Sequence, residues 1–266
     1  MQGQFTSSDL PSASTSSTQA LLEVRNVFKS FGAVQALQGI SFTIDPGDIV
    51  ALVGDNGAGK STLVKIIAGV HPPSQGDILL EGQRRHFHKP ADALAAGIET
   101  VYQHLALIEA LDVADNVYLG RETLRSGPLG KVFGWLNRAE MRRETGKALE
   151  QLHIKIPSPS SSVRSMSGGQ RQAIALGRAV LWGRKLLILD EPTAALGVEE
   201  TEQVLHMIED LKTKGMTFLV ISHNMQDVYR IADVIIVLRQ GKHVATLRKE
   251  DTDPQDIVAY ITGAKA

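Results

Sequence analysis

No cysteine occurs in the 266 residues, which excludes disulfides, thiolate metal sites and a cysteine nucleophile together. That composition fits a reducing compartment. Net charge is nearly absent as well: the formal value is -1, so no bulk electrostatic attraction draws the chain to nucleic acid. Long apolar runs are missing. Val234 to Leu238 is strand-sized, far below the 18 or more residues that a bilayer span requires. Any link to a membrane is therefore expected to come through a partner. The first twenty residues are rich in Ser and Thr and carry neither a basic leader nor a continuous apolar stretch, so they read as a disordered tail rather than a secretory signal. What remains is 43% apolar, enough for one large domain or two small ones with a real core.

The most informative stretch is Gly54-Asp55-Asn56-Gly57-Ala58-Gly59-Lys60-Ser61. It follows Ile49 to Val53, an uninterrupted apolar strand of the buried kind, and it opens a helix over Lys60 to Ala68 with Gly69 near its end. Strand, glycine loop and helix together are the context of a phosphate-binding loop. Gly54, Gly57 and Gly59 let the backbone curl so that its N–H groups converge, with Asn56 and Ala58 between them. Lys60 is placed for the β and γ phosphates, Ser61 for magnesium, and Thr62 for a neighbouring phosphate. A dinucleotide fingerprint matches poorly, since it does not end in Lys-Ser. No Asn-Lys-x-Asp is present to recognise guanine.

About 130 residues later, Leu186 to Leu189 forms a second buried strand that ends in Asp190 and Glu191. Carboxylates at the C-terminal edge of a parallel strand point into the ligand crevice of α/β proteins. Asp190 is expected in the magnesium shell, and Glu191 is expected to orient or deprotonate the attacking water. The pairing describes a nucleoside triphosphatase.

The remaining pattern alternates strand and helix. Leu21 to Val27 and Gly39 to Ile44 read as strands, separated by a turn region over Phe28 to Gln35. Ile78 to Leu80, Gly97 to Val101, Thr217 to Ile221 and Val234 to Leu238 read as further strands; Gln170 to Leu181 and Glu199 to Lys214 read as helices. Between His104 and about Arg164 the texture turns helical, with Met141, Thr145, Ala148 and Leu152 on one face. The expected fold is α/β, a mostly parallel core interrupted by a smaller helical lobe. Strand order is not legible.

Ser165-Met166-Ser167-Gly168-Gly169-Gln170-Arg171-Gln172, ahead of a helix and shortly before the acidic strand, resembles the signature motif of ABC ATPases, the ATP-binding cassettes. In physical terms a Ser hydroxyl, glycine backbone and a helix N-terminus make a second anion site. The resemblance runs from Leu21 to Leu247, with six motifs in family order. It implies a P-loop core with an N-terminal antiparallel part over residues 21–250, the helical lobe inserted at about 104–165, and a C-terminal extension over 251–266. It also implies a dimer holding two ATP-Mg2+, in which Ser167, Gly168, Gly169 and Gln170 of one cassette close on ATP held by the partner's Gly57 to Thr62.

By the same resemblance Phe31 stacks on adenine, Gln103 links the metal and water site to the lobe, and His223 is the switch histidine at the γ-phosphate. Two departures stand out. Met166 replaces a common Leu, a swap of similar volume. Gly197 stands where Ser-Ala-Leu-Asp relatives carry a carboxylate, which weakens the expected coupling between sites.

The stretch Glu191-Pro192-Thr193-Ala194-Ala195-Leu196-Gly197-Val198 is similar to ATPases of bacterial monosaccharide importers. Many of these carry two fused cassettes, against one here. The resemblance implies a second cassette (the same chain), an integral-membrane permease, indirectly a periplasmic sugar-binding protein, and a peripheral position on the cytoplasmic face of the inner membrane. Leu105 to Leu111 either lines the permease groove or forms a satellite core. The alternatives are a non-transport cassette in nucleic-acid or translation-related work and the ATPase of a separate-subunit exporter. The first lacks its usual sustained heptads or Lys/Arg block here.

Overall fold

A computed structural model describes residues 19–125, 127 and 134–265. The tail expected over 1–20 lies, for residues 1–18, outside the described residues, and so do 126 and 128–133 of the expected lobe.

Two sheets organise the molecule. The first is antiparallel: β1 (Leu22–Phe31), β2 (Val34–Ile44), β4 (Gln75–Leu80) and β5 (Gln83–Arg85), in the order β2-β1-β4-β5. The second takes β3 (Ile49–Val53), β6 (Ile98–Val101), β7 (Leu186–Asp190), β8 (Thr217–Ile221), β9 (Val234–Arg239) and β10 (Lys242–Arg248), in the order β10-β9-β3-β8-β7-β6. It is parallel from β9 to β6, with only β10 antiparallel. The fold is therefore the expected α/β P-loop architecture with an antiparallel N-terminal sheet.

Among the described residues the α-helices are α1 (Lys60–Ile67), α2 (Pro90–Ala96), α3 (Val113–Val117), α4 (Arg138–Gln151), α5 (Gly168–Trp182), α6 (Val198–Thr213), α7 (Met225–Ile231) and α8 (Pro254–Thr262). Alternation along the central strands sends side chains to both faces of the parallel sheet. Leu52, Ile188, Leu219 and Ile221 pack with Leu63, Ile66 and Ile67 of α1 and with Leu22, Leu37 and Ile40 of the antiparallel sheet. Ile49, Leu187, Leu189, Phe218 and Val220 pack on the opposite face, against Ala175 and Leu176 of α5 and Val204, Leu205 and Ile208 of α6. Each such apolar side chain contributes about 1.5–3 kcal/mol by leaving water. The parallel sheet is thus covered on both faces.

The turn region expected over Phe28 to Gln35 is instead paired strand, with Phe28 opposite Gln38 and Phe31 opposite Val34. Only Gly32 and Ala33 turn the chain, and Gly32 supplies the positive φ of 56° that a two-residue connection demands. In the lobe, Met141 and Thr145 are buried as expected, but the third buried position of α4 is Leu149, not Ala148. The larger side chain wins the inward face, joining Val113, Val117, Tyr118, Val163, Met166 and Ile174 in one cluster. Buried Asn116 closes the lobe: it donates to Ile108 and Asp112 carbonyls and accepts the Ile108 N–H at 2.7 Å. Trp182 ties the lobe to α5 through a 2.8 Å bond to the Val117 carbonyl.

Candidate functional site

Register brings the chemistry to one edge. Leu52 of β3 pairs with Ile221 of β8, Ile221 with Asp190 of β7, and Val101 of β6 with Leu189. The C-terminal ends of β3, β8, β7 and β6 thus lie side by side, releasing the glycine loop, His223, the acidic pair and Gln103 onto the same rim. There a cleft of about 650 Å3 is lined by Asn56 to Thr62, Gln103, Asp190 and Glu191.

The loop fits a polyanion. Gly54 has φ +146°, and a Cβ on it would sit 2.1 Å from the Leu238 carbonyl oxygen. A Cβ at Gly59 would strike Leu37 and the Ala36 carbonyl, at 2.7 and 2.8 Å, whereas Gly57 faces open space. The first two glycines are thus imposed by close backbone approach, and Gly57 leaves room for a ligand. Helix α1 begins without a side-chain cap and without an acid in its first turn, so its N-terminal N–H groups remain available to an anion. Lys60 meanwhile donates to the Gly54 and Asp55 carbonyls at 2.5 and 3.1 Å.

Electrostatics point the same way. Burial pushes the Lys60 ammonium below its ordinary range, against the opposing pull of Glu191, Asp55 and Asp190. Burial raises the Asp190 carboxyl, and the Glu191 charge adds to it, with Lys60 and Lys65 opposing. A divalent cation beside Asp190 would favour its ionised form. Among the described residues no group of three or more His, Cys, Asp or Glu side chains is placed to hold a metal alone. Mg2+ takes few protein ligands and fills its shell from phosphates and water. Ser61, Gln103 and Asp190 bring a hydroxyl, an amide and a carboxylate to the lining of this cleft.

Glu191 sits at φ 53°, its N–H held by the Ile221 carbonyl at 2.9 Å. His223 Nδ1 lies 2.8 Å from its carboxylate, with the imidazole 75% exposed and the carboxylate 15%. Glu191 and His223 are therefore in direct contact. Phe31 is at the hairpin tip, edge-on to His71 at 5.5 Å, outside the cleft lining. Val34, Gln35, Ala36 and Gln38 of β2 line the cleft instead.

Ser167, Gly168, Gly169 and Gln170 do not reach this cleft. They open α5, where Ser167 Oγ accepts the Gln170 N–H at 3.2 Å and Gln170 Oε1 accepts the Ser167 N–H at 3.0 Å. This reciprocal cap satisfies two end groups. Ser167, Gly169 and Gln170 line a different cleft of about 330 Å3 beside α6.

Several positioning residues escaped the sequence reading. Arg178 of α5 donates to the Leu105 and Ala106 carbonyls, both at 3.1 Å, fastening the strained turn after Gln103, where φ is 28° and 46°. Thr193 donates to buried Asp227 at 2.7 Å, joining the acidic loop to the helix after His223. The Gln240-Gly241 turn grips β2 and the phosphate loop: its two carbonyls accept from Gln38 at 3.0 and 2.7 Å, and the Gly241 N–H donates to Ala58. A Gln-Gly pair between apolar runs was the one available signal.

Residues 37–194 match the family model described as ABC transporter. Over 242 residues the chain is 48% identical to the xylose/arabinose import ATP-binding protein of Sulfolobus acidocaldarius, an overlap of 91% of this chain and 94% of that one. Over 248 residues it is 44% identical to the fructose import ATP-binding protein of Rhizobium meliloti, covering 93% and 95%. Among solved structures, a nucleotide-free ATP-binding cassette from an ABC transporter superposes with a TM-score of 0.77 at 28% identity, covering 90% of this chain and 95% of that one. With the phosphate loop, acidic pair and signature arranged as described, the chain belongs to the ABC transporter family, as an ATP-binding and ATP-hydrolysing subunit.

Proposed function

We propose that the chain drives import of a simple sugar through a transmembrane permease, working as a pair of copies that enclose two ATP molecules. The observation that carries the sugar reading is likeness along nearly the whole length to two proteins named for monosaccharide import. No described helix is long and apolar enough to cross a membrane, so the spanning path is assigned to the permease and membrane association to contact with it. A periplasmic sugar-binding protein completes the set of partners.

In this mechanism the Asn56 to Ser61 N–H groups and the α1 N-terminus cradle the ATP phosphates. Lys60 exchanges the Gly54 and Asp55 carbonyls for the β and γ phosphates. Ser61, Gln103 and Asp190 would hold Mg2+, which would supply charge neutralisation to the phosphates. Glu191 orients a water molecule and accepts its proton as the water oxygen bonds to the γ-phosphorus and the bond to the β–γ bridging oxygen breaks. His223 steadies Glu191 and reads the γ-phosphate. Because the signature stands outside the phosphate cleft of its own chain, the Ser167 hydroxyl and α5 N-terminus serve ATP held by the second copy. Phe31 stacks on adenine once the nucleotide is in place. The lobe over about 104–165 carries the change to the permease, with the exposed Ile108 and Ala110 turned outward while Leu105 and Leu107 pack on the core.

The test is an affinity pull-down from native membranes with a Glu191→Gln variant held in ATP and Mg2+. Recovery of a multi-span sugar permease is expected. Recovery of soluble or nucleic-acid-associated partners alone, from folded and ATP-loaded protein, overturns the importer reading.

A further inference from the structure

The end of α5 that presents the signature already holds an anion, and that anion is Glu200. No acid lies in the first turn of α5. Glu200 comes from the first turn of α6, whose cap position, Gly197, has no side chain to offer. Its Oε2 accepts the Gly197 N–H at 3.0 Å. The same side chain lies across the signature: a Cβ on Gly169 would come within 2.8 Å of Glu200 Cγ and 3.3 Å of Cδ. The N–H groups of Gly197 and Gly169, and more weakly the Ser167 hydroxyl, hold its carboxyl below the ordinary carboxylate range. One carboxylate therefore bridges the loop after the acidic pair and the signature donors.

We propose that Glu200 is a positioning residue that presets the signature in the open chain and must surrender Ser167 and Gly169 to the γ-phosphate of ATP on the second copy. This rests on the two-copy reading above. Two anions cannot share one helix N-terminus without strong repulsion. Closure then exchanges one for the other, leaving the Glu200 carboxylate on the Gly197 N–H alone. A nucleoside diphosphate has no γ-phosphate to make the exchange, so the signature of an ADP-loaded pair returns to its own Glu200. In this way Glu200 sets the threshold for closure.

The test uses the full chain carrying Glu191→Gln, with sedimentation velocity across a range of ATP concentrations in Mg2+. Glu200→Gln keeps the size and an acceptor for Gly197 but removes the charge. It is expected to form the pair at about tenfold less ATP, with the nucleotide affinity of the dilute single copy unchanged. Glu200→Asp keeps the charge and is expected to need as much ATP as its parent. Unchanged or weakened pairing in Glu200→Gln, or equal tightening in both variants, overturns the proposal while leaving the two-copy reading intact. A parent that stays a single copy at every ATP concentration overturns that reading and this one with it.

Discussion

Replacing Gly54 by Ala tests how the phosphate loop is held. A methyl group there would lie 2.1 Å from the Leu238 carbonyl oxygen. Carbon–oxygen contacts in proteins begin near 3.3 Å, so the ends of β3 and β9 must part by about 1.2 Å. That movement works against the Val53–Val237 pairing at the end of the parallel ladder. Losing one ladder bond costs about 1 kcal/mol, disturbed packing about 1–3, and the positive φ another 1–2. The sum is about 3–6 kcal/mol, a large part of a typical stability of 5–15. Gly57→Ala is the control. Its φ is also positive, +82°, but the added methyl meets nothing within 4 Å, leaving only the conformational cost of about 1–2 kcal/mol. Urea unfolding at a common slope measures both. Destabilisation of Gly54→Ala within about 1 kcal/mol of Gly57→Ala would refute the claim that backbone approach imposes Gly54.

Three further outcomes are expected. Glu191→Gln lowers kcat about a hundredfold while ATP still binds, as expected for loss of one well-placed transition-state group; steady-state hydrolysis and nucleotide titration check this together. Arg178→Ala frees the turn after Gln103 and lowers stability by about 2–4 kcal/mol through two charge-assisted bonds, and Arg178→Lys recovers only part because one ammonium cannot reproduce the guanidinium fork; denaturation of the three proteins orders them. Chelating Mg2+ abolishes hydrolysis, and Asp190→Asn raises the Mg2+ needed for half-maximal rate about tenfold, read from a metal titration.

The strands most plainly legible in the sequence were those buried throughout. All of Ile49–Val53 and Thr217–Ile221 is buried, and each run stands unbroken between turn residues. The strand β10 has no fully buried side chain and lies at a sheet edge, and β5 is three polar residues, so neither carried a buried apolar run. Strand order depends on β3 lying between β8 and β9, pairings made far along the chain. The phosphate loop and acidic strand were readable because each is local, a strand followed at once by its functional residues. Arg178, Asp227 and Glu200 were not. Each looks like an ordinary charged helix residue until partners 72, 34 and about 30 residues away arrive beside it.

The most direct test of the central claim, a site shared between two copies, is to mix two inactive variants. Lys60→Ala removes the phosphate-loop ammonium, and Gly169→Asp blocks the signature; each alone is expected to hydrolyse ATP at background. In a mixed pair one site joins an intact phosphate loop to an intact signature. Equal mixing yields half mixed pairs with one working site of two, so about a quarter of the unmodified rate should return. A mixture as inactive as its components, from proteins shown to be folded and to pair, would contradict the account.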